Sequence, residues 1–558
     1  MEKERKRYLT RRNFLKLSTA AVGVGLLQAC SAATQPTPVP QPTPVKPAAQ
    51  VPQPPQLQPT AAAPTQAPTA APTKLAGPKK GGTFTLAYTP TIMEFNPVKL
   101  DTGNYAFQRA MFNTLAHYDP HLNLVPELAE KWDFSADGKT VTFKLREGVK
   151  YHSGREFTSD DVKASWEFAS TDPNTTMRVL FKAIKNVETP NKYTAVFKYD
   201  TVYAGVFDAL DTLYIIDKET IADRAKTAVG TGPFKFDKYQ PNDRLEMVPF
   251  ADYWDKGKPH LDRYIIRTIP DAPSMVIALE TGAVDAIWQP SYIDLVRLKE
   301  SGGKYVADMG APGAQMYNLA INVKEKPLDN KKVRQAMAWS IDRARFCRTV
   351  LQGLIEPTCL MWPTHSWAYF KDLEGSIGFD LDKAKSLLAE AGFPNGFDTD
   401  MSVSSQRYPG SVELAQIMQA DLKKIGVNMQ ISDMEMAAYS STVINKGDHR
   451  MTIIAYGRLN RDPGTLVSAA KAWYTEKQGT WTHFESAEYD QMRTELEAML
   501  DRDKRQALCR KIQEFALDEC FTNPVAYQQR AYAYASYVKG FGYDMDNAPF
   551  VSEFWLDK

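Results

Sequence analysis

The chain has 558 residues, 43% of them hydrophobic, and sets 67 Lys and Arg against 66 Asp and Glu for a net charge of +1. That content builds more than one core. The charge balance excludes the strong global field that recruits nucleic acid or an acidic membrane surface. Aromatics at 11% leave two readings open: ordinary core filling, and a cleft lined with rings for an organic ligand.

Lys3, Arg5, Lys6, Arg7, Arg11, Arg12 and Lys16 crowd the start of the chain, and "LSTAAVGVGLLQA" follows. That apolar run is about a dozen residues long, too short to cross a roughly 30 Å hydrocarbon layer as a helix. The pattern is that of an export signal. In "TRRNFLKLS", paired Arg11 and Arg12 precede Phe14, Leu15 and Lys16. This resembles the twin-arginine signal, whose pathway carries folded cargo; the alternative is a chance pair in a basic leader. Leu27, Ala29 and Cys30 in "LLQAC" resemble a bacterial lipoprotein box. There the Cys thiol receives a diacylglyceryl group and becomes the new N-terminus. Two acyl chains, at about 0.8 kcal/mol per buried methylene, anchor stably where one does not. An exported, unlipidated protein is the alternative. Residues 31–78 repeat Pro, Thr, Ala and Gln without apolar periodicity. They predict a disordered tether, reaching on the order of 150 Å if extended as polyproline.

Beyond the tether, "GGTFTLAY" predicts a strand. Asp137-Gly138 is a turn signal, and Val141, Phe143 and Leu145 alternate with polar residues as in a half-buried strand. In "FTSDDVKASWEF", Ser159 is the expected N-cap, and Asp160 and Asp161 suit a helix start rather than a catalytic carboxylate pair. The second half is more helical. Val333, Ala336, Met337 and Ile341 share one face; Asp380 caps a helix that ends at Gly392. Leu414, Ile417, Met418, Leu422 and Ile425 mark a helix ending at Gly426. "VNMQISDM" and "HRMTIIAYG" read as strands, and a long amphipathic pair spans about 486–519. Helix-then-strand units with short joints predict layered α/β architecture.

Four cysteines remain after Cys30: Cys347, Cys359, Cys509 and Cys520. Cys509 and Cys520 fall on one predicted helix, roughly 16 Å apart at about 1.5 Å per residue, too far for a disulfide. Cys347 and Cys359 can meet across a loop; reduced, buried thiols are the alternative. The seven His residues do not cluster at metal spacing, and there is no HExxH, CxxC or GxSxG. "GTGPF" at Gly230 lacks the third glycine of a dinucleotide loop and predicts a tight turn into "FKFDKY". No residue supports an enzyme, and no metal or cofactor is expected.

Four separated blocks then identify a family: "LVPELAEKWDFSADGKTVTFKLREGVKYHSGREFTSDDV", the stretch "VGTGPFKFDKYQPNDRLEMVPFADYWDKGKPHLDRYIIRTIPDAPSMVIALETGAVDAI", "LAINVKEKPLDNKKVRQAMAWSIDR" and "FDLDKAKSLLAEAGFPNGF". In the same order, they resemble family 5 extracellular solute-binding proteins of ABC transporters, the peptide/nickel-binding group. The resemblance implies a periplasmic-binding-protein-like α/β fold: two lobes joined by a hinge, plus an extra third lobe (the cluster C type). Lobe I is expected at 79–103, 229–310 and 526–558, lobe II at 104–228 and lobe III at 311–525. It further implies a monomer anchored on the outer face of the cytoplasmic membrane. That monomer passes a peptide or similar polar solute to permease and ATPase subunits. An oligosaccharide receptor of the same fold and a lipid-anchored hydrolase are the rival readings.

By the same resemblance, peptide binders carry an acid a few positions before a "DP" pair to neutralise the α-ammonium. In "AYGRLNRDPGTL" that position is Leu459, flanked by Tyr456, Gly457, Arg458 and Asn460, with Asp462 as the remaining acid. Burying an unpaired ammonium costs several kcal/mol, so free-amine peptides are disfavoured at this position. Arg407 is the expected counterpart of a carboxylate-gripping Arg. Matching segments add Met93, Glu94 and Phe95, together with Gln315, Tyr317 and Asn318. Trp288 and Trp362 are added on ring chemistry.

Overall fold

The computed structural model describes residues 77–89, 92, 94–99, 104–119, 122–173, 175, 178–223, 227–310, 315–457, 461–470, 472–473, 475, 480–544 and 548–558. Cys30, Arg11, Arg12 and the tether lie outside them.

Among the described residues, three larger sheets organise the chain. A seven-stranded sheet runs in the order Tyr305–Met309, Ala531–Ala535, Ala286–Trp288, Thr83–Tyr88, Arg263–Thr268, Arg244–Pro249, Phe234–Gln240. Thr83–Tyr88 is its axis, parallel to both neighbours. Phe84, Leu86 and Tyr88 are buried along it. A five-stranded sheet runs Asn428–Asp433, Asp398–Val403, Met451–Gly457, Gln315–Ile321, Thr522–Gln528. The third sheet, Ala129–Phe134, Thr140–Leu145, Thr194–Tyr199 and Ile184–Asn191, is antiparallel throughout. Here Val141, Phe143 and Leu145 are buried, as period-two alternation demands.

Local chemistry sets the element ends. The helix Ser159–Thr171 starts at its expected cap: Thr158, not Ser159, is the N-cap. The Asp161 carboxylate accepts from the Thr158 backbone N–H at 2.9 Å, closing a capping box. Ser159 turns its hydroxyl to the Asn191 carbonyl instead, 2.7 Å away. Asp380 caps Leu381–Glu390 by accepting from Lys383 N–H at 2.9 Å. The helical pair occupies Ala487–Glu497 and Arg502–Glu519. Cys509 is inside the second of these, whereas Cys520 is its left-handed C-cap, at φ 51°. All four cysteines are unbridged and buried. Burial pushes the Cys347 and Cys520 thiols up to about 12, which makes them inert at neutral pH.

The "GTGPF" turn packs against the end of the helix Tyr105–Met111. A Cβ at Gly232 would lie 2.5 Å from the Ala110 oxygen, and one at Gly230 would lie 2.0 Å from the Met111 oxygen. Backbone, not a movable side chain, blocks both positions. Gly232→Ala is therefore expected to cost about 1–3 kcal/mol. Equilibrium denaturation should show a lower midpoint at unchanged slope.

Candidate functional site

The chain passes directly between the seven-stranded and five-stranded sheets at two places. One runs from Tyr305–Met309 to Gln315–Ile321, the other from Thr522–Gln528 to Ala531–Ala535. The two passages are antiparallel neighbours on both sides, in register from Tyr305↔Ala535 to Met309↔Ala531, then from Gln315↔Gln528 with a shift between Tyr317 and Asn318. Gly310 N–H donates to the Arg530 carbonyl at 2.7 Å, and Tyr292 Oη donates to the Gln529 carbonyl at 3.0 Å.

On the seven-stranded side, Trp288 ends its strand and is 2% exposed. Its ring centroid lies 4.3 Å from that of Tyr88. The Arg530 guanidinium sits 5.0 Å from the Trp288 ring and 5.3 Å from the Tyr105 ring. Trp288 Nε1, Arg530 Nε and Arg530 Nη1 are buried without a hydrogen-bond partner. Phe95 lies apart from this group, ringed by Phe107, Phe236 and Tyr239 at 5.4–5.6 Å in ordinary core packing. Glu94 accepts from Lys99 Nζ at 2.8 Å. Met93 lies outside the described residues.

On the five-stranded side, Tyr317 Oη donates to the Pro409 carbonyl at 2.5 Å and accepts from Gln528 Nε2 at 3.1 Å. These bonds pin the loop that carries Arg407. Arg407 itself is exposed, stacked 5.4 Å from the Tyr408 ring, with Nη1 3.3 Å from Ser440 Oγ. Gln315 is half-buried beside Gln528. Asn318 points to the opposite face of its strand and donates to Thr522 Oγ1. Met316 and Gln315 pair through the backbone with Tyr456 and Gly457. Arg458, Leu459 and Asn460 lie outside the described residues.

Asp462 is committed elsewhere. It caps Pro463–Ala469 by accepting from Gly464 N–H at 2.8 Å, and both its oxygens receive Arg505, at 2.7 and 2.5 Å. Its own N–H donates to Asp208 Oδ2 at 3.1 Å. Next to it, Arg461 pairs with Asp211 at 2.5 Å, and Arg109 joins Asp211 at 3.2 Å to Asp544 at 2.6 Å. Trp362 is fully buried and donates Nε1 to the Pro463 carbonyl at 3.2 Å, bracing the same turn. Burial, with the Asp462 charge second, pushes the Asp208 carboxyl up to about 7. Sequence reasoning missed this network because its partners lie from 43 to 435 positions apart. Arg530 was more legible: a lone cation heads the alternating "AYAYA" strand, where a solvated charge is out of pattern.

Two outcomes follow for the network. Asp462→Ala strands Arg505 beside buried neighbours and should cost about 3–5 kcal/mol in equilibrium unfolding. Asp208 holds its proton up to about pH 7 in the fold but only to about pH 4 when unfolded. The native state therefore binds the extra proton between those values, and its contribution to stability declines as pH rises through them. Unfolding midpoints at pH 5 and pH 8 should show that decline in the wild type and lack it in Asp208→Asn.

Residues 123–478 match the model of bacterial extracellular solute-binding proteins, family 5, middle region. The heme-binding protein A of Haemophilus influenzae is 29% identical over 508 residues, covering 83% of this chain and 91% of that protein. The dipeptide-binding protein of Escherichia coli is 28% identical over 422 residues, covering 69% and 78%. Among solved structures, the ABC transporter-associated periplasmic binding protein DppA of Helicobacter pylori, in complex with the peptide STSA, superposes with a TM-score of 0.74. It is 26% identical, and the match covers 86% of this chain and 99% of that one. The binding protein AgaA of A. tumefaciens R10, in complex with agropinic acid, also has a TM-score of 0.74, at 25% identity and 86% and 99% coverage. A match over more than half of the chain, with relatives covered to 91% and 78% of their length, places this α/β protein in the bacterial extracellular solute-binding proteins of family 5: it is a substrate-binding protein of ABC importers and not an enzyme.

Proposed function

We propose that the protein is a membrane-anchored receptor that captures a peptide or similar polar organic solute between the five- and seven-stranded sheets and delivers it to a permease. The observation that carries this reading is the paired passage between the two sheets. Bending such a ribbon opens and closes the space beside it with little loss of packing. Lobe I then comprises 79–103, 229–310 and 526–558, lobe II 104–228 and lobe III 311–525. A solute touching both lobes only when they are closed shifts the population toward the closed form. The anchor at Cys30 and the Pro-rich tether keep the receptor at high effective concentration near its permease. Among the described residues no helix is long and apolar enough to cross a membrane.

Peptide is favoured as the solute by the dipeptide-binding relative and the peptide-bound structural neighbour. A second reading, an oligosaccharide or other polar organic solute, rests on Leu459 and Asp462. The usual acid is replaced by Leu459, and Asp462 is already neutralised by Arg505. Native mass spectrometry of the protein as purified tests the choice. Co-purified peptide supports the first reading; a hexose series, lost on replacing Trp288, supports the second. Steady hydrolysis of peptides or glycosides by the clean protein would contradict both.

The anchor has its own test. Cys30→Ser should move the protein from the membrane to the soluble exported fraction. Retention on the membrane would mean that an uncleaved leader, not acylation, holds it. On the twin-arginine reading, replacing Arg11 and Arg12 together by Lys should block export.

A further inference from the structure

Arg530 lies between Gln529 and Ala531, where the second passage enters the seven-stranded sheet. It is 6% exposed. The Tyr105 and Trp288 rings pack against its guanidinium, 5.3 and 5.0 Å away. Its Nε and Nη1, which lie on different sides of the group, are buried without an acceptor, and Trp288 Nε1 has none either. Asp308 and Asp544 both act on the neighbouring Tyr532 hydroxyl, as Arg530 does, yet neither forms an ion pair with Arg530. Three other buried arginines are matched by carboxylates, Arg109 by Asp211 and Asp544, Arg461 by Asp211 and Arg505 by Asp462, and Arg343 is satisfied by backbone carbonyls. A buried guanidinium left unmatched is costly and persists where something outside the chain completes it.

We infer that Arg530 and Trp288 form a carboxylate-binding subsite at the hinge, so that the solute is an acid gripped by its carboxylate. This deepens the receptor reading above and rests on it. Together with Nη2, either Nε or Nη1 presents two parallel N–H donors to a planar carboxylate, and the indole N–H supplies a third donor. The Tyr88 and Tyr105 rings give the solute's carbon skeleton an apolar wall. The carboxylate has three possible sources: a peptide C-terminus, an acidic side chain, or a non-peptide acid. Placing the grip here also accounts for the lost acid at Leu459, since the solute's anionic end becomes its anchor point.

The test uses the full-length protein and measures thermal stabilisation and affinity for three probe sets. These are tripeptides with free C-termini, the same peptides amidated with and without an internal Glu, and short dicarboxylic acids. At least one carboxylate-bearing set should bind, with affinity about 100-fold weaker in Arg530→Met and about 10-fold weaker in Trp288→Phe. Arg530→Lys should fall between wild type and Arg530→Met. Without ligand, Arg530→Met should melt at or above the wild-type temperature, because an unmatched buried charge has been removed. Equal binding of free and amidated peptides, unchanged in Arg530→Met, would overturn the subsite while leaving the peptide-receptor reading intact. Binding of dicarboxylic acids alone, lost in Arg530→Met, would uphold the subsite and overturn the peptide reading. A ligand-free melting temperature several degrees below wild type in Arg530→Met would show a structural arginine and overturn the subsite, whichever probe binds. If Arg530→Met does not fold, Trp288→Phe decides: an unchanged preference for free over amidated carboxylates overturns the proposal.

Discussion

The structure depends on a two-stranded ribbon shared by two sheets. Tyr305–Met309 pairs with Ala531–Ala535 in one sheet, and Gln315–Ile321 pairs with Thr522–Gln528 in the other. A ribbon two strands wide can bend, because few hydrogen bonds cross it, while each end is held by a full sheet. The bond from Gly310 N–H to the Arg530 carbonyl ties the two passages together. A register shift at Tyr317/Asn318 lies just inside the five-stranded sheet, where a bulge adds local twist.

Buried charge fixes how the third sheet's segment meets the rest. Arg109, Asp208 and Asp211 come from the stretch that surrounds that sheet, Arg461, Asp462 and Arg505 from the stretch bearing the five-stranded sheet, and Asp544 from the C-terminal stretch. Matched pairs of this kind contribute little net stability against a well-packed apolar alternative, since desolvation offsets the attraction. Their geometry is demanding, however, and a slipped interface would leave several charges unmatched at once. Asp208 records the strain: it sits so close to Asp462 that burial and like charge favour its neutral form.

Much of the architecture was legible in the sequence because it rests on short-range rules. Alternation exposed the strand Thr140–Leu145, and helical spacing exposed the buried faces of Lys331–Trp339 and Ser411–Leu422. Where one residue's chemistry competes with its neighbour's, the reading slipped: Thr158 outcompetes Ser159 as the cap because its side chain and Asp161 close a reciprocal pair. Side-chain roles were less legible. Trp288 and Trp362 have the same ring chemistry, but one faces an unmatched arginine and the other props a turn through Pro463. Spacing along the chain does not separate those cases. Only the assembly of segments from both ends of the sequence does so.

The position of Arg530 carries a further consequence for how such a receptor couples capture to closure. A contact at the tip of one lobe senses its partner lobe only after closure is nearly complete. A contact on the ribbon is adjacent to both lobes at every stage of the motion. In the proposed receptor, matching the Arg530 charge there removes a local penalty from the segment whose bending would separate open from closed forms. If that penalty is larger when the cleft is closed and water excluded, its relief weights the closed form specifically, and a ligand shifts a two-state equilibrium only by such a difference. An apolar solute filling the same space would gain burial in both forms and leave the penalty in place. On the proposed subsite, selectivity for an acid and the drive to close thus arise from the same unmatched guanidinium.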